Sequence, residues 1–429
     1  MPSINNIKVT IGGAESPAGT EAEREFVVPI RAVPTVDNQA EKAVDPAIIG
    51  RNMDAGEYTV AENVSGSLPI IPRAVGGFAQ LLKSLLGTED TPVQVGAMIR
   101  IRYTGSEVSC VLGADTSGDE LTSDVGDVGE ESGDTNFGTA GVIDLTVSAF
   151  DTVGELVAAI HAYADYECEK IFGADAVDAA NIVSVTSVQG ASTWAYFLFT
   201  SAASGAYAHI FTADLTDTER PTYSIQKDGF QDNYLYDGCV VDTLSLAAAL
   251  KGMIEGEAGV LGMDETDSQE ASELSLEDAY PLIFHTGSFA LAENDYTYLR
   301  NINLQIANNH NAEGYGLGSV ERLYHQKGKL DITGDFQLRL DATSQAERAK
   351  VFANTLAALS FYFTGQTIAE SVPEMMLIEL PFCQYSAFEH PENAGVLDAK
   401  INFKAIYPGG TIYNEPIKVI LVTEDSGSY

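Results

Sequence analysis

Only a few residue sets in this chain have types and spacings suited to chemistry, and each also has a simpler reading. Gly314, Gly316 and Gly318 are spaced like the start of a dinucleotide-binding loop. Such a loop needs a following helix, whose N-terminus holds the phosphates. Strand-like sequence follows instead, so a tight turn is expected. Asp115, Asp119, Asp124, Asp127 and Asp134 offer the oxygen ligands that Ca²⁺ takes, but without EF-hand spacing, and a solvated acidic loop is the expectation. His161, His209, His285, His310, His325 and His390 do not pair at metal-ligand spacing. Cys110, Cys168, Cys239 and Cys383 form no CxxC pair, which favours buried free thiols over zinc or a disulfide framework. GxSxG, HExxH and Walker patterns are absent. The expectation is a protein that is not an enzyme, with no catalytic residues, no cofactor and no metal.

Charge is the strongest compositional signal. The 429 residues carry a formal net charge of −39. From Gly105 to Glu169 there are fifteen Asp or Glu and no Lys or Arg. Residues 105–222 hold twenty acids against Lys170 and Arg220, a net of −18, which leaves −21 for the rest. Such a surface repels nucleic acid and anionic membrane. The chain also lacks the basic, aromatic-interleaved patch of a sequence-specific nucleic-acid binder. Adaptation to high salt would produce similar acidity. An apolar content of 45% rules out general disorder. No apolar run is long enough to span a membrane, and Met1–Thr10 lacks the features of a signal peptide, so cytosolic synthesis without membrane insertion is expected.

The elements that must position these residues are mainly strands. Residues 1–35 read as an arm with one or two short strands, and Val36–Gly66 as a long polar connection punctuated by Pro46, Gly50 and Gly56. Phe78, Leu81, Leu82 and Leu85 fall at helical spacing, with Gly87 as the stop. Ala97–Tyr103 reads as a strand. Thr152 and Glu155 form a capping box for a helix expected to run to about Ile171, with Leu156, Ile160 and Tyr163 on one face. Strands are expected at Gly141–Ser148, Asn181–Val188 and Ala195–Thr200, the last two joined as a hairpin at Gln189-Gly190. Asn301–Ala307, Lys329–Asp341 and Ala399–Ala405 alternate apolar and polar residues, as strands with one buried and one wet face do. Ser344 and Glu347 predict another capping box, with Phe352, Leu356 and Leu359 on a helix to about Ser360. Leu244–Ile254 has helix-forming composition interrupted by glycines at 252, 256, 259 and 262.

Several of these stretches together resemble bacteriophage major tail tube proteins. The resemblance rests on Tyr236-Asp-Gly-Cys-Val-Val-Asp-Thr-Leu-Ser-Leu, on Gly314-Tyr-Gly-Leu-Gly-Ser followed by Lys329-Leu-Asp-Ile-Thr-Gly-Asp-Phe-Gln-Leu, and on Gly12-Gly13-Ala-Glu-Ser-Pro-Ala-Gly-Thr, Val64-Ser-Gly-Ser-Leu and Leu85-Leu-Gly. It covers residues 1–103 and 223–429. It implies a mainly β fold, an antiparallel β-sandwich or barrel with flanking helices, in which Leu244–Ile254 is strand and Val36–Gly66 contacts the neighbouring ring. Residues 104–222 then read as an inserted, self-contained acidic α/β domain on the outer surface, and replacing residues 105–221 by a short linker is expected to leave tube formation intact.

The implied function is that of a structural virion protein made in the host cytoplasm. Hexameric rings would stack into a tail tube whose negative lumen conducts DNA during ejection. The implied partners are other copies of the chain, a tape measure protein, a tail terminator, a baseplate or tail tip, and a sheath if the tail contracts. DNA would pass only transiently and without specific contacts. Glu57, Glu62, Asp331 and Asp335 are the candidate lumen residues, with ordinary outer-surface carboxylates as the alternative. The alternative functions are another tail component (terminator, baseplate hub or decoration protein) or a carbohydrate-binding β-sandwich surface protein.

Overall fold

The computed structural model describes residues 7–44, 57–191, 193–202, 204–216, 220–229, 232–267, 269–292, 294–311, 313–369, 371–393, 395–407 and 415–429. The chain opens with β1 (Lys8–Ala14), β2 (Arg24–Val28), β3 (Asp37–Val44), β4 (Glu57–Ile70), α1 (Gly76–Leu86), β5 (Gly87–Glu89) and β6 (Val93–Tyr103). Next come β7 (Ser109–Asp115), β8 (Glu120–Gly126), β9 (Ser132–Gly133), β10 (Val142–Asp144), α2 (Val153–His161), β11 (Tyr166–Gly173), β12 (Val185–Gln189), β13 (Ala195–Thr200) and β14 (Tyr207–Ala213). Then follow β15 (Tyr223–Asp228), β16 (Tyr234–Ala249), β17 (Ile254–Gly262), β18 (Asp264–Thr266), β19 (Gly287–Leu291), β20 (Asn294–Asp295) and β21 (Leu299–Ala307). The last elements are β22 (Asp331–Arg339), α3 (Ala342–Ala353), β23 (Leu356–Ala369), β24 (Val372–Glu389), β25 (Glu392–Asn393), β26 (Val396–Ala405) and β27 (Lys418–Thr423).

The fold is mainly β, and the alternating sequences dictate its central layer. Strands β3, β4, β17, β16, β21, β22 and β26 pair antiparallel in that spatial order. Register puts Leu68, Ala258, Leu244, Ile306 and Ile332 in one buried row. One residue along, the row is Pro69, Glu257, Ser245, Gln305, Thr333 and Lys404. A one-residue step exchanges faces in any strand, so the sheet is apolar on one side and polar on the other. The apolar side packs on β23 and β24, where Phe361, Phe363 and Met376 meet Leu246, Ile302 and Leu304. Strand β26 also pairs with the second half of β24, which folds the sheet over its own core. At the centre, the Phe336 ring centroid lies 5.2 Å from that of Phe289 and 6.0 Å from that of Phe403. Truncating such a residue to alanine typically costs about 3–5 kcal/mol.

Helix α1 closes one side of this core, with Phe78, Leu81, Leu82 and Leu85 all buried. Val75 gives it no side-chain cap, and the Glu277 carboxylate accepts from the Gly76 N–H at 3.1 Å instead. Gly87 ends the helix in the left-handed region, as its position after the leucines implies.

Several expectations are corrected. Val36–Gly66 is not an open connection, since β3 and β4 are the paired legs of a hairpin; Pro46, Gly50 and Gly56 lie outside the described residues. The Thr152 capping box is present, but α2 ends at His161 and Tyr166–Gly173 is strand. A capping box fixes where a helix starts and says nothing of where it stops. Here Tyr166 and Cys168 pair with Tyr103 and Ile101 of β6 and bury their side chains. Asp115–Asp134 is largely the β7–β8 hairpin with β9, and Asp134 is buried. Strands β12 and β13 do not pair with each other: β12 joins β7, and β13 joins β6. The last helix is capped by Asp341 and Ser344 and stops at Asn354, in the left-handed region at φ 52°. Leu356–Ala369 is strand, with Leu359, Phe361 and Phe363 alternating inward. The Leu244–Ile254 segment is strand, turn and strand, as the resemblance implies.

The acidic region is tied into the main sheets. Strand β6 runs between β11 and β13 and is covered on both faces. On one side Ile99 and Ile101 share a core with α2 and the five-stranded sheet of β7 to β10 and β12. On the other, Val95 and Met98 pack with Trp194, Tyr196 and Leu198 onto Met375, Leu377, Ile420 and Val422. Strand β14 pairs with β27. Deleting residues 105–221 would strip β6 of both neighbours and bare this second core. The deletion is therefore expected to yield insoluble protein in a sedimentation assay, and a soluble, assembling product would show the region to be a free-standing module.

Candidate functional site

The wet face of the central sheet is an extended, organised polar surface. It presents Ser245 and Ala247 from β16, Glu255 and Glu257 from β17, Asn301, Asn303 and Gln305 from β21, Asp331, Thr333, Asp335, Gln337 and Arg339 from β22, and Lys400, Asn402 and Lys404 from β26. Cross-strand hydrogen bonds hold these side chains flat. Asn303 Nδ2 donates to Asp335 at 3.1 Å, and Asn301 Nδ2 donates to Gln337 Oε1 at 3.2 Å. Two diagonal ion pairs complete the pattern: Lys404 with Asp331, and Lys400 with Asp335 at 3.7 Å. The ammonium of Lys404 holds the Asp331 carboxyl below its usual range. Such carboxylate–lysine pairs on a sheet face are within reach along the diagonal.

Of the four sequence candidates, Asp331 and Asp335 share this face. Glu57 and Glu62 do not. Glu57 is exposed at the start of β4, opposite Val44 in the hairpin. Glu62 lies on the pleat of Val64 and Leu68, beyond the core. The backbone of Glu62 is held by the loop of residues 308–330: its N–H donates to the Val320 carbonyl at 2.7 Å, and its carbonyl accepts from Tyr315 Oη at 2.9 Å. Lys400, Lys404, Glu255 and Glu257 were not among the candidates. The two lysines needed knowledge that β22 and β26 are neighbours. The two glutamates had a readable signal, since they alternate with buried Ile254, Gly256 and Ala258.

The hairpin has a built root. The Val36 carbonyl accepts from Lys227 Nζ at 2.6 Å and from Tyr236 Oη at 3.2 Å. Lys227 lies between the rings of Tyr234 and Tyr236, and burial lowers its pKa. Thr35 N–H donates to the Ser67 carbonyl at 2.9 Å, which brings the two chains close at Gly66. Gly66 has φ 156°, and a Cβ there would stand 2.4 Å from the Thr35 oxygen. Behind the root, the Glu15 carboxylate accepts from Gly19 N–H (2.8 Å), Thr222 Oγ1 (2.7 Å), Ser224 Oγ (2.8 Å) and Gly238 N–H (3.0 Å). Burial pushes the adjacent Asp237 carboxyl up to about 6, with Glu15, Glu21 and Asp264 adding repulsion and Ser224 opposing it.

Other chemistry-bearing residues are spent on structure. Gly314, Gly316 and Gly318 lie in an irregular loop closed by Asn311–Gln326 and Tyr315–Arg322 bridges, with no helix after it. The four cysteines are free and buried. Among the described residues, no group of three or more His, Cys, Asp or Glu side chains is placed to hold a metal ion, and no helix is long and apolar enough to cross a membrane.

A family model described as phage tail tube protein matches residues 5–405. The chain belongs to the phage tail tube protein family. This is a family of structural proteins and not of enzymes, so the chain is a component of the virion tail that assembles with itself and with other tail parts. No curated protein sequence matches the chain. Within this tail tube protein, Gly66→Ala should lower the urea midpoint by an amount equivalent to about 1–3 kcal/mol, because the added methyl overpacks the crossing. The folded-state pKa of Asp237 lies above its unfolded value. Its contribution to stability is therefore complete below about pH 4 and is lost as pH rises through about 6. Asp237→Asn should remove that part of the pH dependence and gain up to about 3 kcal/mol on wild type at pH 8, as read from urea unfolding at pH 5 and pH 8.

Proposed function

We propose that the chain is the major tail tube subunit, that its protomers form hexameric rings stacked into a tube, and that the wet face of the central sheet lines the channel through which DNA leaves. The observation that carries this reading is the face itself: a broad sheet surface of Asn, Gln, Ser, Thr and carboxylates with its lysines ion-paired, backed by the protein's largest core. Such a surface neutralises its lysines in place and gives bases no apolar shelf to stack on, while exposed Arg339 at the far end of β22 lies over the Tyr298 ring. Its excess charge is negative through Glu255 and Glu257.

The two ends of the same sheet support head-to-tail stacking. At the hairpin end, Tyr58, Val60, Leu317, Leu323 and Tyr324 are exposed. At the opposite end, Leu250, Met253, Tyr298, Val396 and Leu397 are exposed. Two unlike apolar patches at opposite ends make a heterologous contact, which propagates along an axis. The five-stranded sheet with α2, within residues 104–222, is proposed to lie on the outer surface as a second domain beside the tube domain of residues 1–103 and 223–429, whose sheets are completed by β11, β13 and β14 of the same stretch. Its acidic surface keeps tails soluble and apart. Tape measure protein, terminator, baseplate or tail tip, and a sheath in a contractile tail, are the proposed partners, with assembly in the host cytoplasm.

Negative-stain electron microscopy of the concentrated protein should show tubes or rings, and a protein that stays monomeric at every concentration would overturn the reading. The double variant Tyr58→Asp/Leu317→Asp should remain folded by circular dichroism but no longer elongate, shifting sedimentation from tubes to rings or protomers. Wild-type tube lengths in the variant would rule out the hairpin end as the stacking surface.

A further inference from the structure

Asp331 and Asp335 were candidates for repelling DNA directly, and their surroundings indicate a different task. Each faces a lysine of the neighbouring strand β26, Lys404 and Lys400 respectively. These lysines are the cations of the β26 part of the wet face, and each is about a third or more exposed. The face's other carboxylates are differently placed. Glu257 has no ion-pair partner among the described residues, and Glu255 meets only exposed Arg31, at 3.7 Å. Exposed ion pairs contribute little to stability, so fold stability does not explain two such pairs arranged alike on one face.

We propose that Asp331 and Asp335 are masking residues: they hold Lys404 and Lys400 away from passing phosphates, while the repulsion itself comes from Glu255 and Glu257. This rests on the reading that the wet face lines the DNA channel. An unmasked lysine exchanges its bound counterion for phosphate, and every protomer of every ring would repeat the contact. Carboxylates two pleats apart on β22, each reaching diagonally to β26, prevent that exchange without leaving a net charge of either sign along this pair of strands.

The test compares tubes of wild type, Asp331→Asn/Asp335→Asn, and the quadruple variant that adds Lys400→Gln/Lys404→Gln. The probe is a short fluorescent single-stranded oligonucleotide, either free or tethered to a bead too wide for any channel. The aspartate variant should retain about tenfold or more free oligonucleotide than wild type at low salt, and lose it at high salt. The quadruple variant should return to the wild-type level, and thermal unfolding should hardly change across the series. Equal retention by wild type and the aspartate variant would overturn the masking role. If the aspartate variant retains the bead-tethered and the free probe equally, masking stands, but the face is external and the channel reading fails. Should the aspartate variant not assemble, fluorescence anisotropy on protomers at low salt must give the same order of affinities, and failure to do so overturns the proposal.

Discussion

The architecture depends on one strand that changes partners halfway along. The first residues of β16 pair with β15 and β18, and its later ones with β17 and β21. The switch needs a break in the ladder, and the register shifts between Val241 and Thr243. Groups freed by such a break must find partners, because a buried unpaired amide is costly. Here the Val241 N–H donates to Ser84 Oγ of α1 at 2.9 Å, and its carbonyl accepts from Asn308 Nδ2 at 3.3 Å. Asn308 Nδ2 also donates to the Leu85 carbonyl at the end of α1, at 2.8 Å. One serine and one asparagine thus lock the helix, the bulge and the start of the 308–330 loop together. The wet sheet and the β1–β2–β15 flank can share a strand only because of this junction.

How much of this was legible in the sequence follows from how local each signal is. Period-two alternation marked β21, β22 and β26 because each has water on one side and core on the other. It identified Asp331 and Asp335 as wet. It did not show that Lys404 and Lys400 sit beside them, since strand adjacency across some seventy residues leaves no local trace. Helix starts were legible from capping residues, whereas helix ends were set by tertiary pairing. Tyr166 and Cys168 follow a good helix yet are drawn into a ladder with β6. Leu356 and Leu359 have helical spacing, but the continuation to Phe361 and Phe363 is that of a strand. The hairpin legs carried no amphipathic signal because most of their length stands clear of the core.

The charge distribution takes on structure once the elements are placed. The dense negative run belongs to the five-stranded sheet and its helix, away from the central sheet. The central wet face is close to neutral along β22 and β26 and negative along β17. A carboxylate count along the chain would assign the repulsive role to Asp331 and Asp335 as readily as to Glu257. Only the neighbouring side chains separate a charge that acts outward from one that is cancelled locally.

Strand β6 has hydrogen-bonded neighbours on both edges and hydrophobic cores on both faces. Force applied to the five-stranded sheet would therefore pass through the shared core into β6 and, by its two ladders, into the central body. A tug on the acidic region would be felt by the body as a whole, which makes that region a mechanical strut of the fold.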